Sequence, residues 1–152
     1  MDLSMLELSD QEIARRTSLN ELRSLGINPY PAAEYQVTAY AQEIINSYPE
    51  GNEEREALLR EQRVRLAGRI MGRRIMGKAS FVELADSTGR IQIYITRDSL
   101  ADGENTDLYN IVFKKCLDIG DFIGVEGYVF KTQTGEVSVH ALSLTVLSKS
   151  LR

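Results

Sequence analysis

The sequence predicts a mainly β fold, a five-stranded Greek-key barrel with one helix between the third and fourth strands, preceded by an N-terminal helical segment. The hydrophobic period changes from helical to alternating at Arg63, and turn residues then separate five alternating segments. A return to helical spacing lies between the third and fourth of them. Three strands, a helix and two strands are the plan of an OB-fold, whose strands 2 and 3 commonly bind single-stranded nucleic acid.

The N-terminal part, residues 1–62, is predicted to be a helical extension. Ser9 and Glu12 form the pattern of a capping box that starts the first helix, and Gly26 ends it. Prolines then interrupt the helical pattern. The elements expected after this helix are an extended passage over 28–31, a second helix over 37–47 and a charged surface connection over 50–62.

The remainder, residues 63–152, is predicted to form the barrel. Apolar residues alternate with polar ones, as expected for strands with one buried face. Turn sequences at 87–89 and 132–135 indicate tight hairpins, and apolar residues at helical spacing predict the helix over 107–117. The strands are expected over 63–73, 79–86, 90–96, 121–131 and 136–147.

Charge is distributed unevenly along the 152 residues, whose net charge is −4. Residues 1–56 carry a net charge of −7 and residues 57–152 a net charge of +3. Bases are densest from Arg60 to Lys78, where seven of them accompany a single acid, Glu61. Because screening confines surface electrostatics to about 10 Å at ordinary salt, this cluster can attract phosphates even on an acidic protein.

The composition also argues against several classes of function. No apolar run approaches the roughly 20 residues of a membrane span, and the acidic N-terminus lacks the pattern of a secretory signal, so we expect a soluble, cytoplasmic protein without a membrane partner. The single cysteine, Cys116, fits a reducing compartment. His140, the one histidine, gives neither a zinc site nor a catalytic triad and is expected to be structural. We therefore expect no catalytic residue, metal or cofactor in this chain.

The candidate binding residues lie on the second and third predicted strands. Alternation places Phe81 on the face opposite its aliphatic neighbours and Gln92 on the corresponding face of the next strand. A base stacked on Phe81 could present its polar edge to the Gln92 amide, which offers a donor and an acceptor. Arg73 and Arg74, just before the turn, can fork onto phosphate or a base edge. The alternative is that Phe81 caps an imperfectly closed barrel, Gln92 is merely solvated and the basic residues only keep the protein soluble.

Four motifs together are specific: Asn-Pro-Tyr-Pro at 28–31, Arg-Arg-Ile-Met-Gly-Lys-Ala-Ser-Phe at 73–81, Gly-Arg-Ile-Gln at 89–92 and Lys-Thr-Gln-Thr-Gly-Glu at 131–136. With them the chain resembles, over essentially its whole length, the N-terminal anticodon-binding domain of class II lysyl-tRNA synthetases. Aspartyl- and asparaginyl-tRNA synthetases share the barrel, but the residues at 30–31 and 76–81 favour the lysyl-tRNA synthetases.

The resemblance implies a partner, lysine tRNA, and a role for particular residues. Phe81 would stack on an anticodon base, Gln92 would read the central uridine, Arg74 would contact the anticodon loop, and Glu136 would contribute to base recognition. The full set of anticodon-binding candidates is Arg69, Arg73, Arg74, Lys78, Phe81, Gln92 and Glu136.

The resemblance also implies what lies outside this chain. Family members continue beyond an ending like 149–152 into a catalytic domain that ligates lysine to tRNA with ATP and Mg²⁺, and the whole enzyme is a homodimer. This chain, with that domain absent, is expected to bind without catalysing. It is expected to be either a domain cut at its boundary, the interpretation we favour, or a natural stand-alone domain. Two other functions stay open from the residues alone: a general single-strand binder, or a barrel for protein interaction or oligomerisation.

Overall fold

The computed structural model describes residues 10–148, and its centre is a closed five-stranded barrel. The strands are β1 (Val64–Met76), β2 (Ala79–Ala85), β3 (Arg90–Thr96), β4 (Phe122–Lys131) and β5 (Val137–Ser148). Neighbours follow the order β1-β2-β3-β5-β4, and β4 pairs with β1 to close the barrel. Only β3 and β5 pair in parallel. The predicted OB-type barrel is confirmed, with every strand end within three residues of its expected place.

Within residues 10–148, five helices accompany the barrel. They are α1 (Asp10–Ser24), α2 (Ala41–Asn46), α3 (Glu53–Glu61), α4 (Arg97–Leu100) and α5 (Leu108–Cys116), with a 3₁₀ turn at Ala32–Glu34. Helix α1 ends as predicted, because Gly26 has φ of 78° and lets the Ile27 N–H return to the Leu22 carbonyl. The predicted capping box of Ser9 and Glu12 lies outside the described side chains.

Two predictions for the extension were wrong. The second helix begins at Ala41 rather than 37, because Thr38 and Ala39 donate their N–H groups to the Arg65 carbonyl of β1 and are held extended. The predicted connection over 50–62 contains α3. Its start is fixed by Asn52, whose side chain accepts from the Arg55 N–H, and its first turn carries three glutamates that favour the positive helix end.

The segment between β3 and β4 also differs from the prediction. It holds two helices, the short α4 and the predicted α5, whose hydrogen bonding is of the wider π type. Thr96 caps α4 by accepting from the Ser99 N–H. The inward faces of α5 and the strands form one core, in which Tyr109 and Phe113 of α5 stack with ring centres 5.6 Å apart.

The extension is fastened to the barrel at the β2–β3 turn. Asp86 accepts the Ala41 N–H at 2.7 Å and so caps α2 from another element, while it also accepts from Thr88 and Gly89 of its own turn. Burial alone would raise the pKa of Asp86, but these hydrogen bonds outweigh it and hold the pKa below its usual range. The carboxylate is thus the common acceptor of α2 and the hairpin.

A second attachment involves β4 and the segment that follows the 3₁₀ turn. The Tyr35 ring rests on β4 at Gly124, and the Arg65 guanidinium lies 4.6 Å from the ring centre. Arg65 is in turn 3.1 Å from the Glu126 carboxylate. The close approach of ring and backbone is possible because Gly124 has no side chain. The division into residues 1–62 and 63–152 stays a prediction.

Replacing Gly124 with alanine tests this attachment. The new Cβ would lie 2.4 Å from Tyr35 Cζ, so the ring must move off the strand. We expect Gly124→Ala to lower the free energy of unfolding in urea by about 1–3 kcal/mol. Gly72→Ala is the matched control, because a Cβ there meets only Glu83 Oε2 at 3.8 Å. Equal effects of the two substitutions would show that Tyr35 does not depend on the bare backbone.

Candidate nucleic-acid interface

The outer face of β2 and β3 presents the predicted ring and amide together. Across this strand pair Phe81 is opposite Tyr94 and Glu83 is opposite Gln92, so Phe81 and Gln92 are diagonal neighbours on one face. Both are partly exposed, whereas the residues that alternate with them are buried. The predicted alternation on both strands is confirmed.

Two adjoining cavities meet at this face. One, of about 360 Å³, lies over β1, β2 and β3; the other, of about 740 Å³, extends to the β4–β5 hairpin. Both volumes fall in the range of small-molecule pockets, on the order of 300–1,000 Å³. The residues that line both cavities are Arg74, Phe81, Gln92 and Glu136. The fold thus brings together four of the seven candidates.

Two neighbours contact the partly exposed Phe81 ring. Tyr94 lies 5.1 Å away between ring centres, tilted by 37°. Arg74 is opposite Phe81 across β1 and β2, with its guanidinium carbon 5.4 Å from the ring centre. These contacts hold the ring in place, and the guanidinium, which lies over it, is a group that can donate to a phosphate or a base edge.

The Gln92 amide is anchored at one end. Its Nε2 donates to the Ser138 Oγ of β5 at 3.2 Å, and within residues 10–148 the amide makes no other hydrogen bond. Its carbonyl oxygen and its second N–H are therefore left for a ligand. Next to it, Glu83 is paired with Arg90 at 2.8 Å, so that carboxylate is balanced by a neighbouring positive charge.

Arg73 borders the smaller cavity but is engaged by the protein. Its Nη1 donates to the Phe113 carbonyl at 3.1 Å, and its Nη2 lies 3.7 Å from the Asp118 carboxylate. Phe113 belongs to the last turn of α5, whose carbonyls lack partners within the helix and favour a cation. Arg73 therefore joins β1 to the end of α5, a role whose partners are far away in the sequence.

The structure does not bring the two other basic candidates into this face. Arg69 lies over the Phe122 ring at 4.7 Å and borders a separate cavity beside the extension. Lys78 is exposed in the turn between β1 and β2, next to Gly77, and lines neither of the two joined cavities. Their predicted contacts with RNA stay predictions.

Sequence reasoning missed an aromatic cluster beside Phe81. The Tyr94 ring lies 6.1 Å from Phe130, and both border the larger cavity. Tyr128 and His140 complete the cluster, with ring centres 4.9 Å apart. The alternation of Tyr128 and Phe130 was a signal, but their meeting with Tyr94 depends on which strands become neighbours.

His140 connects three elements behind this cluster. Its Nδ1 is 2.7 Å from the Tyr128 hydroxyl and its Nε2 is 2.8 Å from Ser99 Oγ of α4. Its ring meets Tyr94 edge-on at 5.0 Å. Burial lowers the pKa of His140 below its ordinary value.

Among residues 10–148, no group of three or more histidine, cysteine or acidic side chains is placed to hold a metal ion. No helix in this part of the chain is both long and apolar enough to cross a membrane.

The lowered pKa of His140 gives a pH dependence of stability. The pKa of His140 in the unfolded chain is near 6.5, and below that pH the unfolded chain binds a proton that the folded chain resists. The free energy of unfolding therefore falls as the pH falls from 6.5 towards the pKa of the folded chain. We expect His140→Gln to remove this part of the slope. Urea unfolding at about pH 7.5 and about pH 5.5 measures it. An identical loss in the wild-type protein and the variant would contradict the assignment to His140.

Comparisons with known proteins agree with the geometry. Residues 64–147 match the family model for tRNA anticodon domains, described as an OB-fold nucleic acid binding domain. A lysine-tRNA ligase of Porphyromonas gingivalis is 59% identical over 150 residues, which are 99% of this chain and 25% of that relative. The lysine-tRNA ligase of Azobacteroides pseudotrichonymphae is 63% identical over 145 residues, 95% of this chain and 28% of the relative.

A lysine-tRNA ligase of Christiangramia forsetii is 49% identical over 148 residues, 97% of this chain and 24% of the relative. The chain thus spans about a quarter of the length of the curated relatives it matches. The family model covers the barrel from the start of β1 to all but the last residue of β5, which is more than half of the chain. The chain therefore belongs to the tRNA anticodon family of OB-fold nucleic acid binding domains.

Proposed function

We propose that the chain binds the anticodon loop of lysine tRNA, as the recognition domain of a lysyl-tRNA synthetase. The observation that carries the proposal is the convergence of Arg74, Phe81, Gln92 and Glu136 on two joined cavities of one barrel face. The names of the relatives, all lysine-tRNA ligases, supply the amino acid and hence the tRNA.

Recognition begins with stacking. An anticodon base that leaves the loop can lie on the exposed face of Phe81, whose position Tyr94 and Arg74 fix. Stacking on an aromatic side chain contributes about 1–3 kcal/mol per base and tolerates every base. Phe81 therefore supplies affinity, and the choice among bases must come from its polar neighbours.

The Gln92 amide supplies that choice. Uracil presents an N–H donor flanked by two carbonyl acceptors, and an amide presents one acceptor beside donors. The unengaged oxygen and N–H of Gln92 match this edge. Glu136, exposed at the mouth of both cavities, offers a carboxylate to donors of an adjacent base. Binding of a specific base thus needs only side chains that the barrel already holds in place.

Positive charge completes the site. Arg74 is the cation nearest the stacking ring and would meet the backbone of the loop. Arg69, Arg73 and Lys78 are proposed to add longer-range attraction, with Arg69 and Lys78 contacting phosphates further along the RNA. In the whole protein, ligation of lysine to tRNA with ATP and Mg²⁺ would occur in a catalytic domain, within the part of the relatives' length that this chain does not cover. A homodimer and a cytoplasmic location are proposed for that protein on the same basis.

The central anticodon base tests the function. Titration with lysine tRNA should show tighter binding than titration with the same RNA carrying cytidine at the central position, by about tenfold or more, the value of one well-placed bidentate pair. Gln92→Ala should reduce this preference, because it removes both amide contacts. Equal binding of both RNAs by the wild-type chain would indicate a general single-strand binder. No binding of either RNA would indicate a protein-interaction barrel.

Phe81→Ala tests the stacking. We expect weaker binding of lysine tRNA by about 1–3 kcal/mol, with the preference for the central uridine largely kept. Tyr40→Ala is the matched control, because Tyr40 is also an exposed ring, 46% accessible, but borders the separate cavity with Arg69. The stacking assignment is wrong if Phe81→Ala binds as the wild type does, or if Tyr40→Ala weakens binding equally.

A further inference from the structure

Ser138 is a buried hydroxyl beside the amide that reads the base. It is 0% exposed on β5 and is the register partner of Gln92 in the parallel β3–β5 pair. Its Oγ lies 3.2 Å from Gln92 Nε2 and 3.2 Å from the Glu136 carbonyl oxygen. A buried hydroxyl shared between two polar groups constrains the direction of both hydrogen bonds.

The direction follows from counting protons. A serine hydroxyl has one proton, and a carbonyl oxygen can only accept. The Ser138 proton is therefore used on Glu136, and the Ser138 oxygen must accept from Gln92. With the Ser138 proton on Glu136, the carbonyl end of the amide would face the hydroxyl oxygen as a second acceptor, so turning the amide over would also require Ser138 to give up its bond to Glu136. Ser138 thus determines which end of the Gln92 amide faces β5.

The Glu136 carbonyl is itself fixed by the β4–β5 hairpin. It accepts the Thr132 N–H at 2.9 Å, the bond that closes the turn in which Gly135 has φ of 92°. The sequence of bonds therefore runs from the turn to the Glu136 carbonyl, from there to the Ser138 hydroxyl, and on to the amide. Each member fixes the next, so the amide orientation is set before RNA binds.

Orientation decides between two bases of the same shape. Uracil carries a proton on N3, whereas N3 of cytosine is an acceptor. For a pyrimidine held in one place by Phe81, an amide that could turn over would satisfy either base. An amide with its oxygen fixed outward accepts from the uracil N3–H and opposes the lone pair of cytosine N3.

From this geometry we propose that Ser138 is a positioning residue for base specificity: it holds the Gln92 amide so that the site selects uridine over cytidine. The proposal rests on the function proposed above. Ser138 does not touch the RNA and acts through Gln92. A merely structural role on β5 would change affinity for both bases together, whereas a positioning role changes their ratio.

The experiment measures dissociation constants for the lysine anticodon stem-loop with uridine or cytidine at the central position. We expect Ser138→Ala to reduce the preference for uridine about tenfold, mainly because the cytidine RNA binds more tightly once the amide can turn. Ser80→Ala is the matched control: Ser80 is also 0% exposed, but its hydroxyl bonds Tyr109 inside the barrel at 2.8 Å. It should keep the wild-type preference.

The outcomes separate the two proposals. Loss of affinity for both RNAs with an unchanged ratio in Ser138→Ala would overturn the positioning role and leave the proposed function standing. No preference in the wild-type chain would overturn the proposed function itself. If Ser138→Ala does not fold, Ser138→Cys decides, because a thiol fills the same place but is a weak hydrogen-bond donor and acceptor. A reduced preference for uridine supports the positioning role, and an unchanged preference overturns it.

Discussion

The outer face that presents Phe81 and Gln92 depends on one constraint, the two-residue period of β2 and β3 in their antiparallel register. Because alternate side chains point to opposite faces, Ile91 and Ile93 must enter the core if Gln92 is to stay outside. A slip of one residue would bury the amide and expose the isoleucines, at the cost of the core. Burial of the two isoleucines thus places Gln92 on the outer face, although Gln92 is not itself part of the core.

Closure of the barrel adds what the two strands lack. The parallel β3–β5 pair places Ser138 next to Gln92, although 46 residues separate them. The same closure brings the β4–β5 hairpin, with Glu136, to the edge of the cavities. Phe81 and Gln92 come from one hairpin, whereas the hydroxyl that holds the amide comes from β5, much later in the sequence. The β2–β3 hairpin thus supplies the surface, and closure of the barrel with β5 supplies the side chains that complete it.

The sequence contained the strands, their inward faces and the pair of Phe81 and Gln92, because these follow from local alternation. It did not reveal α3, since a helix with so few apolar residues has no clear buried face and resembles a charged connection. The start of α2 depends on the Arg65 carbonyl, which belongs to a strand later in the chain. The partners of Arg73 likewise lie on α5. Apart from α3, these features escaped prediction because they depend on contacts between segments that are far apart in the sequence.

The attachment of α2 at Asp86 bears on how far this chain can be shortened without loss of structure. The hairpin that carries the stacking ring and the amide is tied at its far end to the helical extension, through one carboxylate shared between Ala41 and the turn. Trimming the chain to the barrel alone would strip that carboxylate of a backbone donor and leave the hairpin tip unsupported. The extension therefore supports the hairpin that carries Phe81 and Gln92, and a shortened chain that keeps this support has to include α2.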